Sequence, residues 1–279
     1  VVPPIPMSLS NPTNTKAYGL YIDMLTRKKK PKKILIYGRS LHCYTFISGL
    51  INRSVPPERI ILAIPPKELE DKKEFSKQKF ISENKLSSKP IIALLPGSRN
   101  QEISKLLPVM LNVISGFEDY QIIIAGAPSK NINYYEKIIQ ANKASDNSIK
   151  VICNQTYNIL RVSSAAIVTS GTATLETALF RVPQVVCYKT SLISYLIGRL
   201  LIPNLKYISL VNIILDKNAV AELIQSNCNK KNLVIELQKI LNKSKRSLML
   251  KDYEILHKKL GGKGSSKKTA KLISKYLKN

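Results

Sequence analysis

Ile91-Ile92-Ala93-Leu94-Leu95-Pro96-Gly97-Ser98-Arg99 decides how the chain is read: an unbroken apolar run, then a proline, a glycine, a hydroxyl and a guanidinium. A short apolar run closed by turn residues suits a strand buried on both faces, as in a parallel sheet. Comparable runs recur at Gln121–Ala125, Lys150–Cys153, Ala165–Thr169, Gln184–Tyr188 and Tyr207–Val211. Between them, helical spacing predicts helices over Pro108–Phe117, Tyr134–Asn142, Leu175–Phe180 and Ala219–Gln225. In the first of these, Pro108 occupies a first-turn position that tolerates a missing N–H, and Met110, Leu111 and Ile114 share a stripe. Strand and helix in alternation predict an α/β fold, a Rossmann-like doubly wound parallel sheet over residues 89–232.

Outward from that domain the pattern changes. Residues 233–279 read as a basic helical tail, with Leu237, Ile240 and Leu241 on one face, a break at Gly261-Gly262-Lys263-Gly264 and a last helix over Ser266–Leu277. Residues 67–88, charged and rich in Ser and Lys, read as a solvated helix and connector. Residues 1–66 are atypical. Pro3, Pro4, Pro6, Pro12, Pro56 and Pro57 punctuate them, and Arg27–Lys33 holds six basic residues around one proline. Only Ile34–Tyr37 and Ile60–Ile64 look like strands there. The segment is expected to be poorly ordered, the product of a truncated gene with an out-of-frame stretch.

A chain of 279 residues, 44% hydrophobic, can bury a core. Its formal charge of +26, from 44 Lys+Arg against 18 Asp+Glu, attracts anionic partners. A Lys-rich solvated surface accounts for the same charge. Nucleic acid is not expected as a partner, because no reading module and no basic patch interleaved with aromatics appears. Cys43, Cys153, Cys187 and Cys228 are widely spaced, which predicts free thiols; with His42 and His257 as the only histidines, a metal site is not expected. No apolar stretch approaches the roughly 20 residues of a membrane-spanning helix. The nearest, Leu192–Ile202, is interrupted by Gly198 and Arg199 and reads as a helix packed on its own sheet or lying on a surface.

Two strand-to-helix loops carry the candidate chemistry, since open parallel sheets bind ligands at the carboxyl ends of their strands. In the first, Gly97 allows close backbone approach, Ser98 offers a hydroxyl and Arg99 a bidentate contact to a diphosphate. Ser98 as a cap and Arg99 as a surface charge is an equal account of the same residues. The second, Ser170-Gly171-Thr172-Ala173-Thr174-Leu175-Glu176, places hydroxyls and a glycine at a helix N-terminus, which favours phosphate. Glu176 matches the vicinal diol of a ribose, and is equally a carboxylate that stabilises a first helical turn. Gly126, closing a third strand, leaves room for a base or sugar, or simply makes a turn. Asn212, at the end of Lys206-Tyr207-Ile208-Ser209-Leu210-Val211-Asn212, is read as a carboxamide reaching the same cleft or as a turn residue.

The order of these motifs resembles the lipid-A-disaccharide synthase family. The match covers about residues 89–272, and is most specific at Leu94-Leu95-Pro96-Gly97-Ser98-Arg99 with Glu102-Ile103 and Leu106-Leu107-Pro108. It continues through Ser170–Glu176 with Pro183 and Tyr188, then Lys206–Asn212 and Leu260-Gly261-Gly262-Lys263-Gly264. The resemblance implies the C-terminal half of a GT-B fold and an inverting hexosyltransferase without metal or other cofactor. It would move a 2,3-diacylglucosamine from its UDP donor onto 2,3-diacylglucosamine 1-phosphate on the inner face of a bacterial inner membrane. On that resemblance Arg99 neutralises the leaving diphosphate, while Gly97, Ser98, Ser170, Gly171 and Thr172 hold phosphate oxygens. Glu176 takes the ribose, and Gly126 and Asn212 line the nucleotide cleft. An anionic membrane surface is an expected partner, and a homodimer is left open. The family's acceptor-side loop and its Asp base have no counterpart in residues 1–66, so no base is assigned and Asp23 stands without a motif. Two alternatives stay open: a non-catalytic remnant that keeps UDP affinity, and another UDP-sugar enzyme such as an epimerase or the peptidoglycan glucosaminyltransferase.

Overall fold

The computed structural model describes residues 34–37, 60–63, 75–142, 149–191 and 206–260. The chain divides into two compact units, one of residues 1–72 with 261–279 and one of residues 73–260. Within the first, β1 (Ile34–Tyr37) and β2 (Ile60–Ala63) pair in parallel, Ile34 opposite Ile60. Both strands lie where the sequence predicts them. A parallel pair requires a crossover of a dozen or more residues, which the chain between them supplies.

The second unit runs α1 (Lys77–Glu83), β3 (Ile91–Leu95), α2 (Asn100–Leu111), β4 (Gln121–Gly126), α3 (Ile132–Ala141), β5 (Ile149–Cys153), α4 (Thr156–Val162), β6 (Ser163–Thr169), α5 (Thr172–Leu179) and β7 (Gln184–Tyr188). It continues with α6 (Leu210–Leu215), β8 (Ala221–Ile224), α7 (Lys230–Leu241) and α8 (Lys243–Lys259). The six strands of this unit are parallel, in the order β5-β4-β3-β6-β7-β8. This is the doubly wound arrangement, in which the winding reverses between β3 and β6.

Burial on both faces explains the unbroken apolar runs. Ile91, Ala93 and Leu95 of β3 pack with Ile123 and Ala125 of β4, Ala166 and Val168 of β6, Ile159 and Leu160 of α4, and Phe80 of α1. The alternate residues Ile92, Leu94, Ile122, Ile124 and Ile167 fall on the opposite face by the two-residue period of a strand, and are at most 2% exposed. Burying side chains of this size contributes roughly 1.5–3 kcal/mol each. Polar side chains close the helix ends: Asn131, Asn229 and Asn242 cap α3, α7 and α8 by accepting from Tyr134, Asn232 and Ser244 N–H groups.

Three sequence expectations are corrected. Tyr207–Val211 is not a strand, because Ser209 caps α6 by accepting from the Asn212 N–H at 3.3 Å. Ala219–Gln225 is not a helix: Ala221–Ile224 extends along β7, with Val185 opposite Ala221, so an open sheet edge overrides the helical preference of Ala, Glu and Leu. The helix expected over Pro108–Phe117 is Asn100–Leu111, with Pro108 inside it. The carbonyl that loses its bond to the missing proline N–H is that of Ser104, an exposed residue that water can satisfy.

The tail is also less separate than its charge suggests. α8 packs on α7, α6 and α5, and buries Met249, Tyr253 and Leu256. Its Tyr253 hydroxyl accepts from Gln184 Nε2 at 3.2 Å, at the start of β7. The stretch Leu192–Ile202, the Gly261–Gly264 break, the Ser266–Leu277 helix and Cys43 lie outside the described residues.

Candidate functional site

β3 and β6 are hydrogen-bonded neighbours with Leu95 opposite Val168, so Pro96–Arg99 and Thr169–Thr172 leave the sheet side by side where the winding reverses. Crevices of this kind are where doubly wound sheets bind ligands. The two loops singled out in the sequence are thus brought together by the fold.

The first loop is built around Glu102. Gly97 has φ +98°, and a Cβ added there would lie 2.5 Å from Glu102 Oε2, so the position excludes a side chain twice over. Glu102 Oε2 accepts from the Ser98 N–H at 3.2 Å and the Arg99 N–H at 3.3 Å, and its Oε1 accepts from Arg99 Nη1 at 3.2 Å. The N–H groups of the loop expected to cradle an anion are bonded to the chain's own carboxylate. Arg99 stays 41% exposed, and its guanidinium keeps donors beyond the one spent on Glu102.

The second loop is anchored from behind and open in front. Ser170 donates its N–H to Cys187 O at 2.8 Å and its hydroxyl to Ile208 O at 3.2 Å. The Thr174 hydroxyl turns back to Gly171 O at 2.8 Å, while Gln184 Nε2 donates to Thr174 O at 2.8 Å. A Cβ at Gly171 would meet nothing within 4 Å, so there is open space beside the residue that precedes α5. Thr172, half-buried, starts the helix, and Glu176, also half-buried, lies about one turn further on. Of the Ser170, Thr172 and Thr174 hydroxyls, that of Thr172 alone donates no hydrogen bond among the described residues.

Two sequence candidates are corrected. Asn212 is fully buried and committed: its Nδ2 donates to Val220 O at 2.9 Å and Glu222 Oε1 at 2.8 Å, and its Oδ1 accepts from the Ala219 and Val220 N–H groups at 2.8 and 3.0 Å. It fastens α6 to β8 and does not line the cleft. Gly126 is buried inside β4, where a Cβ would strike Cys153 Sγ and come within 3.3 Å of the Tyr135 ring, so its smallness serves the packing of β5 and α3.

Two residues escaped sequence reasoning. Glu222 accepts from the Ile208 N–H at 2.8 Å and the Ser209 N–H at 2.9 Å, and through Ile208 it backs Ser170. An acid inside the apolar Ala221–Ile224 run is its signal. Gln225, at φ +51°, accepts from the Thr190 N–H at 2.9 Å, and its buried Nε2 has no partner among the described residues. Thr169 Oγ1 is buried and unpartnered as well. Both orphaned atoms lie at the carboxyl ends of strands, the ligand-binding edge, where buried polar groups lacking partners call for an explanation.

Cys153, Cys187 and Cys228 are free thiols. Burial pushes Cys153 up, and the hydrogen bond between the buried Cys187 and Cys228 holds Cys187 well up and Cys228 down. Burial likewise raises Tyr135, whose hydroxyl accepts from the Ala127 N–H at 2.8 Å and closes the end of β4. Among the described residues, no three His, Cys, Asp or Glu side chains are grouped to hold a metal, and no helix is long and apolar enough to cross a membrane.

Strand order and loop placement define a Rossmann-like α/β protein. The fold is similar to that of a Rickettsia africae glycosyltransferase, with TM-score 0.58, 14% identity and coverage of 96% of this chain and 68% of that one. It is also similar to the S. aureus MnaA–UDP co-structure, with TM-score 0.56, 14% identity and coverage of 99% and 82%. The chain belongs to the lipid-A-disaccharide synthetase family, whose model matches residues 67–276.

Among curated relatives, the lipid-A-disaccharide synthase of Syntrophus aciditrophicus is 36% identical over 192 residues, 67% of this chain and 49% of that protein. That of a Sulfurihydrogenibium species is 28% identical over 294 aligned positions, 93% of this chain and 76% of that protein. The chain spans about half the length of the Syntrophus and Francisella relatives it matches. Residues 67–279 make up only about three quarters of the chain, so an alignment covering 93% must enter the first 66.

Proposed function

We propose that this chain supplies the donor side of a lipid-A-disaccharide synthase: it binds UDP-2,3-diacylglucosamine at the switch point and serves transfer of the sugar to 2,3-diacylglucosamine 1-phosphate. The observation that carries the reading is the pairing of an exposed arginine with an open helix N-terminus on adjacent strands, in a chain of this family. The α5 N-terminus with Gly171 and Thr172 receives phosphate oxygens through backbone N–H groups. Arg99, with Ser98 beside it, faces the diphosphate and neutralises charge that grows as the bond from the anomeric carbon to the phosphate oxygen breaks. An acceptor hydroxyl forms the new bond to that carbon, its proton passes to a base that the described residues do not identify, and UDP departs. Glu176 takes the ribose hydroxyls.

Glu102 makes the first loop conditional. A diphosphate reaching the Ser98 and Arg99 N–H groups displaces a carboxylate already bonded to them, so part of the binding energy is spent on that exchange. Acylated substrates place the reaction at a membrane surface, which suits a chain of net charge +26.

Calorimetric titration with UDP, followed by an assay of UDP release from UDP-2,3-diacylglucosamine with and without the lipid acceptor, tests the reading. UDP binding with acceptor-dependent release supports it. UDP binding without release leaves a nucleotide-binding module. No UDP binding sinks both.

A further inference from the structure

We propose that Cys187 and Cys228 are a peroxide-responsive pair whose disulfide loosens the loop after β6. Cys187 is the fourth residue of β7, opposite Leu223 of β8, and Cys228 follows the single 3-10 turn Gln225–Asn227 that leaves β8. Both are packed out of water, at 0% and 1% exposure, and their thiols are hydrogen-bonded to each other. Two paired strands and one tight turn thus bring sulfur to sulfur. Cys153, on β5 at the far edge of the sheet, bonds instead to Lys130 O at 3.8 Å, so the described cysteines leave no other pairing.

The pair sits behind the loop assigned to phosphate, so its effect on ligand rests on the proposed function, while its chemistry does not. The Cys187 carbonyl accepts the Ser170 N–H at 2.8 Å, and Gln225, in the turn before Cys228, holds the chain after β7 through the Thr190 N–H at 2.9 Å. Hydrogen-bonded sulfurs stand well beyond the S–S bond length of about 2.05 Å, so bonding draws the turn and β7 together. The turn is already strained at Gln225, with φ +51°, and part of the shift falls on the Cys187 peptide and its bond to Ser170.

Cys228 is the nucleophile. The Cys187 hydrogen bond, with the Lys189 ammonium and a Tyr188 backbone hydrogen bond, outweighs burial and favours its thiolate. Ser226, Asn227, Asn229 and Lys230 around it are exposed, so local opening of the turn admits a molecule little larger than water. The thiolate attacks one oxygen of hydrogen peroxide, the O–O bond breaks, and the released hydroxide takes up the proton that Cys228 had lost and leaves as water. Cys187 then gives up its proton and attacks the sulfenic sulfur, expelling a second water as the S–S bond forms. Two electrons pass from the thiols to the peroxide, and a dithiol returns them by exchange.

Non-reducing peptide mapping of the full chain after hydrogen peroxide, and again after dithiothreitol, reads the bond. A Cys187–Cys228 cross-link that dithiothreitol removes is expected. Sulfenic or sulfinic acid at Cys228 without the cross-link, or oxidation confined to other cysteines, overturns the proposal. Amide exchange at Ser170 reads the loop without any ligand: oxidation should speed it about tenfold, as weakening of one hydrogen bond does, and an unchanged rate overturns the link to the loop. UDP affinity should fall about three- to tenfold in the oxidised chain and return on reduction. Cys228→Ser, with Cys228→Ala beside it, should keep the UDP affinity of the reduced chain and lose both responses to peroxide, and a variant that still responds overturns the assignment. The wild-type measurements decide the matter whether or not either variant folds. If the reduced chain binds no UDP, the proposed function fails, while the cross-link and the Ser170 exchange still decide this inference.

Discussion

The loops after β3 and β6 are sequence twins, small residues and hydroxyls between a buried strand and a helix, yet the structure finishes them differently. After β3 the helix N-terminus is already occupied by Glu102. After β6 the space beside Gly171 is open, and the Ser170 and Thr174 hydroxyls donate backward into the protein. One loop has to be opened and the other is preformed. The first is therefore suited to sensing a strongly charged group and the second to holding it, a division neither stretch shows when read alone.

The largest expected effect removes the charge from the conditional loop. Arg99→Ala should lower sugar-transfer kcat by about 10²–10³-fold, as loss of one transition-state donor does elsewhere, while the melting temperature stays put because Arg99 is half exposed. An activity drop that tracks a loss of folded protein would contradict the assignment. The two glycines then separate folding from binding. Gly97→Ala should destabilise the chain by roughly 1–3 kcal/mol, from its left-handed φ and the contact with Glu102. Gly171→Ala should cost less stability than Gly97→Ala, because a Cβ there meets no neighbour and only the φ of +159° opposes it, and should weaken UDP binding about tenfold, since its side chain would enter the space assigned to phosphate. Equal melting of the two variants would erase the distinction between the loops.

A smaller effect of opposite sign belongs to Glu102→Gln. Replacing the carboxylate by a neutral amide weakens its hold on the Ser98 and Arg99 N–H groups and frees the Arg99 guanidinium. UDP affinity should rise about three- to tenfold, at a stability cost of about 0.3–1 kcal/mol for the lost charge in the first helical turn. Isothermal titration beside a urea melt reads both. Unchanged or weaker UDP binding would mean that Glu102 never competes with the ligand.

How much of this was legible in the sequence depends on the range of the interactions involved. β3, β4, β6 and β7 were readable because burial on both faces writes itself as an apolar run, and Gly97 and Gly171 because their loops follow such runs. β8 was not, since Ala221-Glu222-Leu223-Ile224 becomes a strand only by pairing with β7, and its acid is paid for by N–H groups of Ile208 and Ser209 more than ten residues away. Asn212 was misplaced for the same reason: its partners lie on the next strand and the turn before it. In the Pro- and Lys-rich residues 1–66 the apolar runs at Ile34–Tyr37 and Ile60–Ala63 were still legible as strands, while their parallel pairing was not.

The smallest effect tests how the preformed loop is held from behind. Gln184 Nε2 bridges Thr174 O in the first turn of α5 and the Tyr253 hydroxyl of α8. Burial raises Tyr253 far above an ordinary tyrosine, outweighing the Gln184 hydrogen bond that lowers it. Because the folded protein holds this proton more tightly than the unfolded chain, the associated stability is fully present below about pH 10, the unfolded tyrosine value, and is lost as pH rises toward the folded one. Tyr135, raised by burial in the same sense, contributes to the same decline. Tyr253→Phe should therefore flatten the fall in urea midpoint above about pH 10 while leaving Gln184 bonded to Thr174 O, so UDP affinity at neutral pH should change less than about twofold. If the alkaline slope is unaltered, Tyr253 ionisation does not drive the transition. If neutral UDP affinity collapses, the loop after β6 is not preformed but depends on α8 as much as its partner depends on Glu102.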